Sequence, residues 1–286
     1  MKKNIIYLIL ILFSTFLNAN EKIVLQLKWF HQFQFAGYYA AKEKGFYDEV
    51  GLNVEIRQRD LKYNNIDEVI NGNAQYGVAD SILILYRLKQ QPVVIVSPIF
   101  QHSPSVFISL KKSNISSVYE LNNKDILFYP NDTDGFSLLA MIKKFDLDVN
   151  LVRERYKDDY MRLINNEVDV MPAYIANEPF LFKEKGYDVN IINPTNYGFD
   201  MYGDMLFTNE DEAKNNPIRV EKFKEATLKG WKYALENKEE IIQLINEKYS
   251  KEKSIEHLRY EANAIDSLIN KDVTPLGYLD QGRIRY

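Results

Sequence analysis

Strand signals and helix signals alternate along almost the whole chain, and this alternation restricts the fold more than any other feature. The segment "KIVLQLKW" predicts a strand because Ile23, Leu25 and Leu27 alternate with polar residues. The Ala-rich segment "FAGYYAAKEKGFYDEVG" after it predicts a helix that ends at glycines. The rhythm continues through "LNVEIRQR", "NIDEVINGN", "YGVAD", "SILILYRLKQQ" and "PVVIVSPIF". It is typical of a mainly parallel, doubly wound sheet with helices on both faces.

The same order of elements occurs a second time further along the chain. The segment "YMRLINNEVDVMPAYIANEPFLFKEKGYDV" parallels "IDEVINGNAQYGVADSILILYRLKQQPV", and in both an Ile-Asn pair ends a helix before a short apolar strand. Two similar α/β halves are therefore predicted. From Glu221 to Lys271 the chain becomes rich in Lys and Glu, with apolar residues at helical spacing, which predicts helices packed outside one half with a solvated charged face. Those apolar positions are Phe223, Ala226, Trp231, Leu235, Ile242 and Ile245.

The first twenty residues have the layout of a cleavable secretory signal. "MKKNIIYLILILFSTFLNAN" contains two lysines, an apolar run from Ile5 to Phe13, and small or polar residues ending near Ala19. The apolar run is short for a bilayer span, so the alternative, an uncleaved N-terminal anchor, is the less favoured interpretation. We expect residues 1–20 to be removed on export and the mature chain to be periplasmic.

Charge and cysteine content exclude several classes of function. Without the leader, 36 − 2 = 34 Lys and Arg face 40 Asp and Glu, a net charge of −6, which gives no reason to expect a nucleic-acid partner. The chain has no cysteine, so disulfides, lipid-anchored export, thiol nucleophiles and Cys-ligated metals are excluded. The remaining length suits two cores of about 100–150 residues each.

No catalytic or metal-binding constellation is evident in the sequence. The three histidines, His31, His102 and His257, have no neighbouring set of ligand residues. "NDTDG" at 131–135 resembles the start of a calcium loop but lacks the later ligand positions, so a turn with a helix N-cap is favoured. There is no P-loop and no GxGxxG motif. We expect no metal, no cofactor and no enzymatic activity.

Four turns are candidates for ligand binding. In open α/β sheets, ligands bind outside the carboxyl ends of the strands at a topological switch point. That rule selects the turns Trp29–Tyr38, Asp80–Ser81, Asn131–Phe136 and Ala173–Glu178. If the two halves face one another, these turns converge on one cleft.

The first of these turns contains seven rings within eleven residues, in "WFHQFQFAGYY". A flat heterocycle stacked on such rings gains roughly 0.5–1.5 kcal/mol per aromatic pair beyond area burial. If the segment is extended, the phenylalanines and the glutamines between them point to opposite sides. We expect some rings to be core: Phe30, Phe33 and Tyr39. For others the residues leave core and cleft equally open: Trp29, His31 and Tyr38.

Asp80 and Glu178 each follow an apolar run and precede a helical segment. A carboxylate in that position commonly caps the helix. It can also accept hydrogen bonds from an amino group of a ligand, and such charge-assisted bonds discriminate strongly in a dry cleft. The sequence leaves both roles open.

The blocks "LKWFHQFQFAGYYAAKEKGFYDEVGLNVEI", "GVADS" and "YGDMLFT" together resemble type II periplasmic solute-binding proteins of the thiamine-pyrimidine-precursor branch. Relatives of that branch bind alkanesulfonates, nitrate or taurine. The resemblance runs from about Lys22 to beyond Leu279. It implies two α/β lobes, each a mainly parallel sheet flanked by helices, joined by a two-strand hinge with crossings near Phe107–Leu110 and Tyr202–Thr208. The implied division is 21–108 with 205–286 for the first lobe, and 109–204 for the second.

The resemblance also implies a set of ligand-binding positions. In it, Trp29 and Tyr174 sandwich a pyrimidine-like ring while Glu178 and Asp204 accept from its amino group. The family's turn before the first helix of the second lobe falls on Asp134 and the glycine after it. The full implied set is Trp29, His31, Phe35, Tyr38, Asp80, Ser81, Asp134, Tyr174, Asn177, Glu178, Tyr202 and Asp204.

The function implied is capture of a small, planar, nitrogen-containing ligand for ABC import, by a monomer that works with an ABC permease. An alternative is an extracytoplasmic sensing domain whose partner is a membrane-bound signalling protein, either a histidine kinase or a diguanylate cyclase. A third hypothesis, an enzyme of thiamine-pyrimidine synthesis, is disfavoured because the related enzymes carry a cysteine-rich motif that this chain lacks.

Overall fold

The computed structural model describes residues 20–128, 135–153 and 159–285, with strands and helices alternating as predicted. The strands are β1 (Glu21–Gln26), β2 (Leu52–Arg57), β3 (Tyr76–Ala79), β4 (Val93–Pro98), β5 (Ser105–Leu110), β6 (Asp125–Phe128), β7 (Asn150–Arg153), β8 (Met171–Tyr174), β9 (Val189–Ile192) and β10 (Met205–Asn209). The α-helices are α1 (Ala36–Glu43), α2 (Phe46–Glu49), α3 (Asn65–Ile70), α4 (Leu83–Leu88), α5 (Phe136–Lys144), α6 (Asp159–Ile164), α7 (Glu178–Glu184), α8 (Glu210–Asn215), α9 (Pro217–Glu236), α10 (Lys238–Lys248), α11 (Ile255–Ile269) and α12 (Gln281–Arg285).

The first sheet has the strand order β2-β1-β3-β10-β4. Strands β1, β2 and β3 run parallel, and β10 runs antiparallel to both of its neighbours, so β4 is parallel to the first three. Apolar side chains leave β1 on both faces: Ile23 and Leu25 enter one apolar cluster and Val24 enters another. This is the pattern of a sheet covered by helices on both sides. We call this sheet and the helices packed on it the first lobe.

The second sheet repeats the arrangement. Strand β6 pairs in parallel with β7 and forms a parallel bridge from Ile126 to Val170, next to β8, while β5 runs antiparallel between β8 and β9. The resulting order is β7-β6-β8-β5-β9, with four strands parallel and β5 reversed. Both sheets therefore place one reversed strand beside an edge strand, which confirms the predicted mainly parallel sheets and similar halves. We call this sheet and its helices the second lobe.

The chain crosses between the lobes twice. The first crossing lies between β4, which ends at Pro98, and β5, which starts at Ser105; the second lies between β9, which ends at Ile192, and β10, which starts at Met205. The predicted crossing near residues 107–110 instead lies inside β5. The reason is that every residue of "SVFISL" is buried within the second sheet. The predicted crossing at 202–208 overlaps the end of the second one and the start of β10.

The aromatic segment after β1 is not extended. Residues Phe33–Phe35 form a 3-10 turn in which all three residues are buried, and α1 follows directly. The predicted single helix is interrupted at Gly45, whose positive φ of 76° suits glycine, and restarts as α2. Of the three rings expected in the core, Phe33 and Tyr39 are fully buried and Phe30 is half-buried.

The Lys- and Glu-rich C-terminal helices pack on the first lobe, as predicted. Helix α9 lies against α1 so closely that a Cβ on Gly230 would stand 2.2 Å from the carbonyl oxygen of Gly37. The apolar positions expected to face inward are all buried, and Trp231 is the largest of them. Within the described ranges, no helix combines the length and the apolar character that a bilayer crossing requires.

Candidate functional site

A cavity of about 190 Å³ is lined by residues of both lobes. From the first lobe come residues that follow β1 and residues around the start of α4. From the second lobe come residues of β5, β6, β8, α5 and α7. Trp29 and Glu178 follow the carboxyl ends of β1 and β8, and Tyr174 is the last residue of β8, so all three lie at the edge where open α/β sheets bind ligands. The lining includes a group of polar and aromatic side chains, Trp29, Gln32, Gln34, Tyr174, Asn177 and Glu178, and a group of apolar side chains, Ile82, Leu85, Phe128, Phe136, Leu139 and Ile142.

Two aromatic side chains form walls of this cavity. Trp29 is half-buried and lies edge-on to Phe30, with ring centroids 5.3 Å apart. Tyr174, the last residue of β8, is half-buried and comes from the other lobe. Both rings also pack at the margin of the largest apolar cluster. The cavity thus has an indole from one lobe and a phenol from the other.

The start of α7 supplies a carboxylate and an amide to the cavity. Glu178 Oε2 accepts a hydrogen bond from the backbone N–H of Tyr174 at 2.6 Å, and Glu178 Oε1 accepts from Asn177 Nδ2 at 2.6 Å. Burial raises the pKa of Glu178 above its ordinary value, although Lys253 and these hydrogen bonds act in the opposite direction. Each carboxylate oxygen has a second lone pair, so Glu178 can still accept from a ligand donor.

A buried ion pair holds the Tyr174 hydroxyl in place. Lys28 Nζ lies 3.2 Å from Asp204 Oδ1, and both side chains are almost fully buried. The same ammonium donates to the Tyr174 hydroxyl at 3.2 Å, and that hydroxyl also bonds to Asp204. Gln34 Nε2 donates to Asp204 Oδ2 at 2.8 Å and to the Tyr174 hydroxyl at 3.0 Å. These bonds fix the phenol of the second lobe against first-lobe residues that follow β1 and precede β10.

Lys253 makes a second polar connection between the lobes. Its Nζ donates to Gln32 Oε1 at 2.5 Å and to Asn177 Oδ1 at 2.6 Å, and it forms an ion pair with Glu261. Glu261 Oε2 in turn accepts from the backbone N–H of Phe33 at 2.8 Å, and burial raises the pKa of this carboxyl. Lys253, just before α11, and Glu261 within it therefore hold the aromatic segment after β1 and the start of α7 in one polar network.

Several residues of the implied set do not line the cavity. The 3-10 turn directs Phe35 into the core, and Tyr38 is buried edge-on to Trp231 with ring centroids 5.9 Å apart. His31 Nδ1 lies 2.8 Å from the Tyr39 hydroxyl, which directs its ring away from the cavity, and burial lowers its pKa.

The residues implied at the "ADS" turn and the hinge take structural positions. Asp80 accepts from the backbone N–H of Ile82 at 2.9 Å, which is the capping role left open above. The Ser81 hydroxyl donates to the carbonyl of Tyr202 at 2.6 Å, so it ties this turn to the second crossing. Asp204 is not part of the lining, because its buried carboxylate is bonded to the Lys28 and Tyr174 side chains. Asp134 lies outside the described residues.

The roles of Lys28, Gln34 and Lys253 were not predicted from the sequence. In "LQLKW", Lys28 occupies the polar phase of a strand pattern, which predicts exposure, and its partner Asp204 is 176 residues away. The segment "FSLLAMIKK", by contrast, has more apolar residues than one core-facing side of a helix needs. This excess could have indicated a second apolar face on the helix.

The described residues contain no group of three or more His, Asp or Glu side chains arranged to hold a metal ion. The polar groups of the cavity are amides, one carboxylate and hydroxyls, which suit hydrogen-bonded recognition of a small molecule.

Comparison with known proteins places the chain in a family. The family model described as "NMT1/THI5 like" matches residues 32–241. The riboflavin-binding protein RibY of Chloroflexus aurantiacus is 26% identical over 236 residues, covering 78% of this chain and 65% of that protein. The formylaminopyrimidine-binding protein of Halalkalibacterium halodurans is 23% identical over 232 residues, covering 79% of this chain and 70% of that protein. The chain thus spans about two thirds of the length of these relatives.

Solved structures agree with the architecture. The periplasmic aliphatic sulphonate-binding protein SsuA of Escherichia coli superposes with a TM-score of 0.69 at 13% identity, covering 92% of this chain and 83% of that one. The alkanesulfonate-binding protein SsuA of Xanthomonas axonopodis pv. citri gives 0.66 at 12% identity, covering 85% and 83%. At such identities the likeness shows the fold alone. Together with the family match, it establishes that the chain belongs to the NMT1/THI5-like family and has the periplasmic-binding-protein fold.

Proposed function

We propose that this chain is a periplasmic solute-binding protein that encloses a small, planar, nitrogen-containing ligand and delivers it to an ABC importer. The observation that carries the proposal is the cavity between the lobes, where Trp29 and Tyr174 offer ring faces and Glu178 offers a carboxylate. The rings stack on a flat ligand, and the carboxylate accepts a hydrogen bond from an amino or ring N–H group.

The charge of the lining supports a ligand that is a donor rather than an anion. Among the described lining residues, Glu178 is the charged side chain, and none is Lys, Arg or His. The nearby ammonium groups of Lys28 and Lys253 are engaged by Asp204 and Glu261. A sulfonate would face the Glu178 carboxylate without a compensating cation, and an unpaired buried charge is costly.

The relatives support the same class of ligand. Riboflavin and formylaminopyrimidine, which the two similar binding proteins are named for, are both flat nitrogen heterocycles. The alternative role as a sensing domain is not favoured, because these relatives are binding proteins. They also support binding without turnover, which we propose for this chain.

The proposal is tested by isothermal titration calorimetry with 4-amino-2-methylpyrimidine, riboflavin and methanesulfonate. We expect the nitrogen heterocycles to bind and the sulfonate not to bind. Glu178→Gln removes a charge-assisted hydrogen bond of about 1.5–3 kcal/mol, so the affinity for the aminopyrimidine falls about 10- to 150-fold. Glu184→Gln is the matched control, since Glu184 is exposed on the same helix and outside the lining.

Trp29→Ala removes one ring face, and the affinity for the heterocycles should fall at least about 2- to 10-fold from the loss of stacking alone. Binding of methanesulfonate without binding of either heterocycle would contradict the proposal. So would equal losses in Glu178→Gln and Glu184→Gln.

A further inference from the structure

The lining of the cavity divides into a polar group and an apolar group of residues, which we call its polar end and its apolar end. Glutamine, asparagine and glutamate side chains lie together with Trp29 and Tyr174 at the polar end. At the other end the lining comes from β6, α5 and α4, and its described side chains are all hydrocarbon. A ligand that consists only of a small polar ring would fill the first end and leave the second in contact with water.

Helix α5 shows that this apolar end is not simply the core of the second lobe. Met141 is fully buried in the apolar cluster beneath the sheet. Phe136 and Leu139 lie three residues apart on another face of the helix, where both are half-buried lining residues, and neither belongs to an apolar core cluster of the described residues. Ile142, one residue after Met141, lines the cavity and also packs against the core cluster. A surface helix normally carries polar residues on the face away from its core. This helix instead presents hydrocarbon to the cavity.

The opposite wall of the apolar end belongs to the first lobe. Ile82 and Leu85 are three residues apart at the start of α4, and both are half-buried. Phe128, at the end of β6, completes this region from the second lobe. The apolar end is thus lined by residues of both lobes and belongs to the same cavity as the ring-binding end.

We infer that the ligand is amphipathic: a donor-bearing heteroaromatic ring at the Glu178 end, joined to an apolar substituent of several carbons held between α4 and α5. The inference rests on the proposed function, which it deepens by naming the second half of the ligand. The rings and Glu178 orient the head group, while Leu85 and Leu139 remove the substituent from water. Specificity within flat nitrogen heterocycles then depends on the length of the substituent.

The physical consequence is a gradient of affinity with chain length. Each methylene buried in an apolar site tightens binding about fourfold, which corresponds to about 0.8 kcal/mol. A propyl group that is fully accommodated therefore improves affinity by about 60-fold over hydrogen.

The test is a calorimetric series with 4-amino-2-methylpyrimidine carrying hydrogen, methyl, propyl or hexyl at ring carbon 5. In the wild-type chain we expect affinity to rise about fourfold per methylene until the apolar end is full. Leu139→Asn and Leu85→Asn, one on each wall, are expected to reduce this gain per methylene to less than about twofold. Leu88→Asn is the control, because Leu88 lies at the end of α4 with 74% of its surface exposed, and it should keep the wild-type gain.

Thermal unfolding of each variant establishes that it is folded. If only one of Leu85→Asn and Leu139→Asn folds, that variant alone is compared with wild type. If the unsubstituted ring binds and longer substituents leave the affinity unchanged or weaken it, the amphipathic ligand is refuted while the solute-binding function stands. If the gain persists in both wall variants, the assigned location is refuted. If none of the ring compounds binds, the proposed function fails and this inference fails with it.

Discussion

Replacing Lys28 by methionine should destabilise the protein far more than the loss of a surface lysine. Methionine has a similar length, so the change removes the ammonium group with little change in packing. It leaves the Asp204 carboxylate almost fully buried, without the cation that now stands 3.2 Å from its Oδ1. Removing one partner of a buried pair typically costs about 3–5 kcal/mol.

The neighbours of Asp204 reduce that figure. Gln34 still donates to its Oδ2 at 2.8 Å, and the Tyr174 hydroxyl still bonds to the carboxylate. Hydrogen bonds to a charged group contribute about 1.5–3 kcal/mol each, so part of the desolvation cost stays offset. We therefore expect Lys28→Met to lower the free energy of unfolding by about 2–4 kcal/mol.

The measurement is urea unfolding followed by the fluorescence of the two tryptophans, for wild type, Lys28→Met, Asp204→Asn and the double variant. Asp204→Asn removes the charge that Lys28→Met leaves unpaired. The double variant should therefore lose at least about 1.5 kcal/mol less free energy of unfolding than the two single variants lose together. Lys232→Met, an exposed lysine on α9, is the control. A loss below about 1 kcal/mol for Lys28→Met, or strictly additive losses, would refute the role assigned to this pair.

Three further outcomes are expected. Gly230→Ala places a methyl group 2.2 Å from the carbonyl oxygen of Gly37, so α1 and α9 must separate, and urea unfolding should show a loss of about 1–3 kcal/mol. Burial lowers the pKa of His257 from 6.5 to about 4, so the unfolded state takes up this proton first as the pH falls. The contribution of His257 to the free energy of unfolding is therefore fully present above pH 6.5 and is lost as the pH falls from 6.5 to 4. Over that range wild type should lose up to about 2 kcal/mol relative to His257→Phe, and parallel pH profiles of the two proteins would contradict this. Because burial raises the pKa of Glu178, affinity for a ligand with constant protonation should fall as the pH drops through that raised value, whereas Glu178→Gln should show a flat calorimetric profile.

Local sequence patterns predicted the strands and helices, and which of their faces are buried, where neighbouring residues in the chain determine the burial. The alternation in "KIVLQL" indicated β1, and the spacing of Phe223, Ala226 and Trp231 indicated the buried face of α9. The same patterns predicted the mainly parallel sheets, since a helix between successive strands permits a parallel return. They did not predict that β5 and β10 run antiparallel, because that direction depends on the lobe from which the chain arrives.

The candidate site could be predicted only in part. The turns after β1 and β8 were identified because carboxyl ends of strands meet at one edge. Trp29, Tyr174, Asn177 and Glu178 line the cavity, while Phe35 is buried in the 3-10 turn and Tyr38 is buried in α1. That turn packs against α10 and α11, which local propensity does not report.

By itself the sequence determined an α/β chain of two similar halves, with rings and a carboxylate at the strand ends, the edge at which open α/β sheets bind ligands. Only the tertiary structure decided that Lys28 is buried against Asp204, that Lys253 joins the two lobes, and that α5 and α4 enclose an apolar space beside the polar one. The physical reason is that periodicity records which face of an element is buried. What meets that face is set by contacts between residues far apart in the chain, such as the 176 positions that separate Lys28 from Asp204.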